Sequence, residues 1–194
     1  MYLIGIFGKI GAGKSSLVNN LKRFIDAEFL SADEENKALL SDINYLTSLK
    51  AHFPDCFDED KFNKEKLKQL IFSDKEQNEI LRKISHYQIQ NRLQTKIERS
   101  NKKVIFVEIS VFVDNFLDFD EKWLIKANKN KQIKRLKNRD KITNELAESR
   151  IDFQEIPTDD YFDEIIVNDG NLAELNNKAK SLVDRLKLSL KLND

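Results

Sequence analysis

The residues with the clearest potential for chemistry lie near the start of the chain, in the stretch GKIGAGKSS, Gly8 to Ser16. Its spacing is glycine, four residues, glycine, lysine and serine, which is typical of a loop that cradles phosphate between a strand and a helix. Glycines allow the backbone to bring N–H groups close to phosphate oxygens, and the following helix adds its positive dipole end. The stretch therefore predicts binding of a nucleoside triphosphate.

Individual positions of this loop have predicted roles. Lys14 is expected to reach the β- and γ-phosphates and to serve catalysis, and Ser15 is expected to offer its hydroxyl to Mg²⁺. The predicted nucleotide-binding residues of the loop are Gly8, Gly11, Ala12, Gly13, Lys14, Ser15 and Ser16.

A candidate base follows in the stretch LSADEEN. Asp33 stands just past a short predicted strand, on the side where ligands bind in open α/β sheets. A carboxylate there can accept or orient the proton of an attacking hydroxyl. The alternative is that Ser31 and Glu34 form a helix capping box, with Asp33 simply favouring the first turn. Both readings remain open from the sequence.

The strongly basic stretch KANKNKQIKRLKNRDK, Lys126 to Lys141, is a candidate lid over the phosphates. Arg135 and Arg139 are four residues apart and share a helix face, where they would neutralise charge that develops on the transferred group. The alternative is a solvated cationic helix face.

Two other classes of phosphate-loop protein are disfavoured. A GTPase needs a guanine-reading aspartate after Asn-Lys, but NKNK, Asn128 to Lys131, ends in lysine. A motor or transporter ATPase would be longer and would end an apolar strand in an acidic pair, whereas Glu108 interrupts its strand without one. A small-molecule kinase remains.

Short apolar runs alternate with amphipathic stretches, which predicts an open parallel sheet with helices on both faces. We expect one α/β domain over 1–194, with a five-stranded parallel sheet in the three-layer arrangement of phosphate-loop kinases, a strand-free helical insertion at about 50–99 and a lid at about 129–155. The predicted strands are Tyr2–Phe7, Ala27–Leu30, Lys103–Val113, Lys122–Ala127 and Asp163–Asn168.

Composition narrows the setting. Lys plus Arg and Asp plus Glu number 33 each, so no global field favours nucleic acid or an anionic membrane. Cys56 is the only cysteine, which excludes an internal disulfide and predicts a buried apolar role for it. No basic leader and no span-length apolar window is visible, so we expect a cytoplasmic protein.

These residues, taken in order, resemble the dephospho-CoA kinase family over nearly the whole chain. GIFGKIGAGKSS is similar to its phosphate loop, SAD to its Asp-Ala-Asp, and QIKRLKNRD to its arginine-bearing lid. EISVFVDN resembles its Pro-Leu-Leu-Phe-Glu stretch, SRIDFQ its Arg and Gln segment, and FDEIIVNDG its closing strand with Asn and Gly.

The resemblance implies transfer of the ATP γ-phosphoryl group to the ribose 3′-hydroxyl of dephospho-CoA, with Mg²⁺ as cofactor. It implies that Asp33 is the base and that Asn168 lies near the adenine of ATP. It also implies that Arg139 is a lid arginine, which is expected to matter more for catalysis than Arg135. The helical insertion would bind the coenzyme. ATP and dephospho-CoA are thus the expected partners, and a monomer is compatible with the sequence.

Several residues depart from the family pattern, mostly around the acceptor. Phe7 stands where the family often has Thr, Ser31 where it has Asp, Ser110 where it has Pro, and Asp114 where it has Glu. These departures leave open a kinase for another small hydroxyl or monophosphate acceptor, and a nucleotide-binding regulator that has lost its chemistry.

Overall fold

The computed structural model describes residues 1–192, apart from the side chain of Phe72. Residues 193 and 194, the last of the predicted domain, lie outside the described residues. The chain divides into two compact units, Met1–Ser31 with Ser100–Asp194, and Ala32–Arg99. The predicted insertion, 50–99, falls within the second unit, which begins earlier, at Ala32.

The first unit is built on a five-stranded sheet of β1 Tyr2–Phe7, β2 Glu28–Ser31, β5 Val104–Ile109, β6 Glu121–Lys126 and β7 Glu164–Val167. The order of the strands across the sheet is β2-β5-β1-β6-β7. All neighbouring strands of this sheet are parallel, which confirms the predicted α/β class.

Alternate residues of the sheet face two helices, α1 (Lys14–Leu21) and α8 (Leu172–Leu190), which pack on each other. Phe106 and Trp123 are fully buried in this core, and their rings lie 5.6 Å apart. The helix α8 begins in a capping box. The side chain of Asn171 accepts a hydrogen bond from the Glu174 N–H, and the side chain of Glu174 accepts one from the Asn171 N–H. All residues of β1 after Tyr2 are buried, and so are all residues of β5 except Glu108. Burial on both faces of the sheet therefore explains the apolar runs of these two strands.

Two further helices of this unit, α6 (Lys129–Asp140) and α7 (Asn144–Asp152), occupy the predicted lid region. Their N-caps are Asn128 and Thr143, whose side chains each accept a first-turn N–H. They share a small apolar cluster, which we call the lid cluster, formed by Ile133, Leu136, Ala147 and Ile151.

The second unit is mainly helical and has α5 (Lys75–Arg99) at its centre. The helices α2 (Ala32–Leu39), α3 (Ile43–His52) and α4 (Lys64–Ser73) all pack against it. Cys56 is buried as expected, and burial raises the pKa of its thiol. Among the described residues, no helix combines the length and apolarity needed to cross a bilayer.

The structure corrects several predicted boundaries. The region 50–99 is not strand-free, because β3 (Phe57–Asp58) and β4 (Lys61–Phe62) form a short antiparallel hairpin in it. The strand predicted over Lys103–Val113 ends at Ile109, and the remaining apolar residues form a loop. A run of apolar side chains shows burial, but it does not show where ladder hydrogen bonds stop.

A buried carboxylate ties the helices of the second unit together. Glu35 on α2 is 3% exposed, and it accepts hydrogen bonds from Arg92 Nε at 3.0 Å and from Lys96 Nζ. Arg92 also reaches Asp42, the N-cap of α3, at 3.5 Å. Burial opposes ionisation of Glu35, but the hydrogen bonds from Lys96 and Arg92 outweigh it and lower the pKa of this carboxyl. One carboxylate therefore links α2 to α5, and Arg92 extends the link to α3.

We expect Glu35→Gln to destabilise the protein by roughly 1–3 kcal/mol at pH 7, because it removes a charged acceptor from two partly exposed cations. A carboxyl with a lowered folded-state pKa stabilises the fold above its unfolded pKa of about 4.3, and loses that contribution as pH falls through the folded pKa. The difference in the free energy of unfolding between wild type and variant should therefore become smaller below about pH 4. Urea unfolding at pH 7 and at pH 3 measures this free energy for each protein.

The exposed Glu98→Gln on α5 is the matched control, and it should stay close to wild type at both pH values. A loss in Glu35→Gln that is the same at pH 7 and at pH 3 would contradict a role for the ionised carboxylate.

Candidate functional site

The predicted phosphate loop runs from Gly8 to Gly13, between β1 and α1. Gly11 and Gly13 have φ values of +78° and +109°, a region that side chains disfavour. A Cβ at Gly13 would lie 2.2 Å from Nδ2 of Asn168, and a Cβ at Gly11 would lie 3.0 Å from the carbonyl oxygen of Gln132. Both positions therefore require glycine, for conformation and for space.

Arg135 holds this loop from its carbonyl side. Its Nη1 donates to the carbonyl oxygens of Gly11 and Ala12, both at 3.1 Å, and its Nη2 donates to the carbonyl oxygen of Asn168 at 2.9 Å. The buried side chain of Asn168 donates from Nδ2 to Ala12 O at 2.8 Å. Arg135 is thus bound to backbone and does not belong to a solvated cationic face.

Lys14 begins α1 and is 6% exposed. Its ammonium group donates to the carbonyl oxygen of Gly8 at 2.7 Å, across the loop. A buried cation is therefore fixed beside backbone N–H groups at a helix N-terminus, an environment that favours anions.

Ser15 meets a residue that the sequence reasoning did not select. Its hydroxyl donates to Oε1 of Glu108 at 2.9 Å. Glu108 lies near the end of β5, where it is paired with Ile6 of β1 and Ser31 of β2. The available signal was a lone carboxylate in an otherwise apolar central strand, near the end at which ligands bind in parallel sheets.

A cavity of about 230 Å³ opens beside the loop within the first unit. Its lining includes four predicted nucleotide-binding residues and two residues from the segment that enters α8. They are Gly13, Ser16, Arg135, Asn168, Gly170 and Leu172. The structure thus brings these predicted residues together around one space.

Arg139 has a different environment from Arg135. Its side chain is 61% exposed, and its guanidinium bonds Asp140 at 2.6 Å and 3.0 Å. Arg150 reaches the same carboxylate at 3.3 Å. The hydrogen bond from Arg139 lowers the pKa of Asp140, and the charge of Arg150 adds a smaller effect in the same direction. The helix ends one residue later, with Lys141 in the left-handed conformation. Arg139 therefore lies at the exposed C-terminal end of α6, in an ion pair with Asp140.

Asp33 lies in the first turn of α2 and is exposed. It belongs to the second unit, whereas the phosphate loop, Arg135, Arg139 and Asn168 belong to the first. Its predicted role as a base stays a prediction.

The departure at Phe7 has a structural explanation. This side chain is 4% exposed and packs among the rings of Phe112, Phe119 and Phe162, with centroids 5.5–6.2 Å away. It also fills the space beside Gly5, where a Cβ would meet the Phe7 ring at 2.5 Å. Phe7 thus packs in the core below the loop that follows β5.

Comparison with known proteins gives a consistent family. Residues 2–174 match the family model described as "CoaE: Dephospho-CoA kinase". The dephospho-CoA kinase of Prochlorococcus marinus is 30% identical, over 93% of this chain and 94% of that protein. The dephospho-CoA kinase of Streptococcus mutans is also 30% identical, over 95% and 97% of the two chains.

Solved structures support the same fold. A Thermus thermophilus protein superposes with a TM-score of 0.81 at 24% identity, covering 95% of this chain and 97% of its own. A dephospho-CoA kinase from Campylobacter jejuni superposes with a TM-score of 0.64 at 20% identity, over 96% and 98% of the two chains.

We expect Arg135→Lys to lower the thermal midpoint, because an ammonium group cannot match the planar fork that spans three carbonyl oxygens. A loss of about 2 kcal/mol corresponds to a fall of roughly 4–8 °C in a chain of this size. The same change at an exposed position, Arg139→Lys, is the control and should shift the midpoint by less than about 2 °C. Circular dichroism measures the midpoints. Equal midpoints for the two variants would refute the stabilising role of the Arg135 hydrogen bonds to the loop.

Proposed function

The chain belongs to the dephospho-CoA kinase family, and from this premise we propose how its residues move the γ-phosphoryl group of ATP to the ribose 3′-hydroxyl of dephospho-CoA. The products are ADP and CoA, so the reaction completes coenzyme A synthesis. The observation that carries this function is the family match over residues 2–174, which spans an intact phosphate loop. Because ATP is the donor, we also propose a cytoplasmic setting.

On the donor side, the backbone N–H groups of the loop and of the first turn of α1 bind the phosphates. Lys14 exchanges the Gly8 carbonyl oxygen for oxygens of the β- and γ-phosphates. The Gly8 carbonyl oxygen and the phosphate oxygens both lie close to the loop in this proposal. The exchange therefore needs only rotation about the side-chain bonds of Lys14. The support for this step is the burial of Lys14 against the loop at 2.7 Å.

The cavity beside Gly13 is the proposed place of the adenine. Arg135 and Asn168 shape its floor while they hold the loop, and Leu172, which is 74% exposed, offers an apolar contact to a base. Contact between the exposed side chain of Leu172 and a purine face would remove apolar surface from water, which is favourable.

The residues near Ser15 fit a magnesium ion. The hydroxyl of Ser15 and the carboxylate of Glu108 place hard oxygen donors side by side, at 2.9 Å. The described residues contain no cluster of three or more His, Cys, Asp or Glu suited to a metal. Mg²⁺ commonly uses few protein ligands and completes its shell with phosphates and water. When bound, it would neutralise charge on the β- and γ-phosphates.

On the acceptor side, Asp33 is the proposed base. It would accept or orient the proton of the 3′-hydroxyl as that oxygen attacks the γ-phosphorus. Arg139 would exchange its ion pair with Asp140 for the charge that develops on the transferred group. The helical unit that carries Asp33 is the proposed holder of the coenzyme.

The deciding experiment incubates purified protein with ATP, Mg²⁺ and dephospho-CoA, and follows CoA by mass spectrometry. Parallel reactions contain pantetheine, adenosine, AMP and other nucleoside monophosphates. CoA formed in marked excess over every other product supports the proposal. Preferred phosphorylation of another acceptor would replace it with the alternative kinase, and ATP binding without turnover on any acceptor would support the regulator.

We expect Asp33→Asn to lower kcat by roughly 10²–10⁴, because positioned proton transfer contributes about that factor. The dissociation constant for ATP should stay within about twofold of wild type, since the change removes no phosphate ligand. Steady-state kinetics and calorimetry provide the two numbers. The exposed Asp55→Asn in the same unit is the control and should keep full activity. Near-normal kcat in Asp33→Asn would remove Asp33 from this role.

We expect Ser15→Ala and Glu108→Gln each to raise the Mg²⁺ concentration that gives half-maximal rate, because each removes an oxygen donor of the proposed site. Ser15→Cys should favour Mn²⁺ over Mg²⁺ more than wild type does, since sulfur suits softer ions. Rates measured across Mg²⁺ and Mn²⁺ titrations test both statements. An unchanged Mg²⁺ dependence in Ser15→Ala would argue against Ser15 as a ligand.

A further inference from the structure

Gln154, two residues beyond α7, is bonded to the phosphate loop and to the segment that follows β5. Its Oε1 accepts a hydrogen bond from the Ile10 N–H at 2.6 Å, and its Nε2 donates to the carbonyl oxygen of Ser110 at 3.0 Å. Ile10 lies in the middle of the loop, and Ser110 directly follows β5. The carboxamide thus joins three segments that are far apart in sequence.

The side chain of Ile10 has a second link to the lid. It packs against the lid cluster of α6 and α7, together with Ile142. The next two loop residues, Gly11 and Ala12, give their carbonyl oxygens to Arg135 of α6. One side of the phosphate loop is therefore held by the lid helices, through the side chain of Ile10 and two carbonyl oxygens, and by Gln154 just after α7, through the Ile10 N–H group.

We propose that Gln154 is a positioning residue that couples the lid to the phosphate loop. Its carboxamide keeps Ile10 seated on the lid cluster and fixes the loop conformation that binds the triphosphate. Lid and loop then move as one, so that tightening of the loop on phosphate also stabilises the lid. The inference rests on the proposed binding of ATP by this loop.

The chemistry of the side chain suits this position. Only a carboxamide of this length presents an acceptor to Ile10 N–H and a donor to Ser110 O at once, because carboxylates accept only. Gln154→Glu would keep the Ile10 bond, lose the Ser110 bond and place a negative charge near the site of the triphosphate. Gln154→Met would keep the length and lose both bonds.

The test uses the full-length ¹⁵N-labelled protein and has two readouts. The first is hydrogen exchange of the Ile10 amide without nucleotide. The second is the dissociation constant of the ATP analogue AMP-PNP with Mg²⁺, measured by calorimetry. Gln154→Met should speed Ile10 exchange about tenfold and weaken AMP-PNP about tenfold, since one or two hydrogen bonds are lost. Gln154→Glu should keep the Ile10 protection and still weaken AMP-PNP. The exposed neighbour Glu155→Gln is the control and should change neither value.

An unchanged Ile10 exchange rate in Gln154→Met would refute the bond. Faster exchange with an unchanged AMP-PNP constant would refute the coupling and leave a purely structural contact. If Gln154→Met does not fold, Gln154→Ala replaces it, because it also removes both bonds, and wild-type AMP-PNP affinity in that variant overturns the proposal. Both readouts omit the acceptor, so failure of wild type to make CoA would reject the proposed function and leave this inference standing.

Discussion

A loop that turns several N–H groups toward one anion turns its carbonyl oxygens the other way, and those oxygens need donors of their own. This constraint explains much of the first unit. Lys14 Nζ donates to Gly8 O, Arg135 to Gly11 O and Ala12 O, and Asn168 Nδ2 also to Ala12 O. These donors come from α1, from α6 and from the end of β7. The sheet order matters because β6 lies between β1 and β7, which brings the end of β7 and the start of α6 beside the loop.

The same arrangement places positive charge at the loop in a chain with equal numbers of acidic and basic residues. Lys14 is buried there and Arg135 is half-buried, so water screens them less than it screens the many exposed lysines of α6. In the absence of a ligand their protons satisfy backbone oxygens. In the proposed function, the triphosphate binds where Lys14 is already buried against the loop and Arg135 is already bonded to it, so less ordering of side chains is required on binding. Preorganisation of this kind raises affinity without additional contacts.

Local patterns predicted the elements well and the side-chain directions poorly. Glycine spacing between a strand and a helix identified the phosphate loop, and apolar runs identified the five parallel strands. Arg135 and Arg139 occupy one helix face in the sequence, yet one grips backbone carbonyls and the other pairs with Asp140, because only tertiary packing decides what each arginine meets. Glu108 was not predicted as a site residue, because only the register of β5 beside β1 brings its carboxylate to the hydroxyl of Ser15. The β3–β4 hairpin was missed because two-residue strands leave no periodic signal.

Asp33 shows how the chain can place a group whose side chain it leaves exposed. Ser31, the last residue of β2, is paired in register with Glu108 of β5, and Asp33 follows two residues later as α2 begins. On the other side of Asp33, the Glu35 carboxylate is buried and bonded to Arg92 and Lys96 of α5. Within the second unit, this ion-pair network holds the backbone of α2 two residues after Asp33. The role of base proposed for Asp33 requires a fixed backbone and a carboxylate that the substrate can reach. Glu35 is buried and bonded to two cations, so the proposed role of base falls to the exposed carboxylate of Asp33 on the same helix.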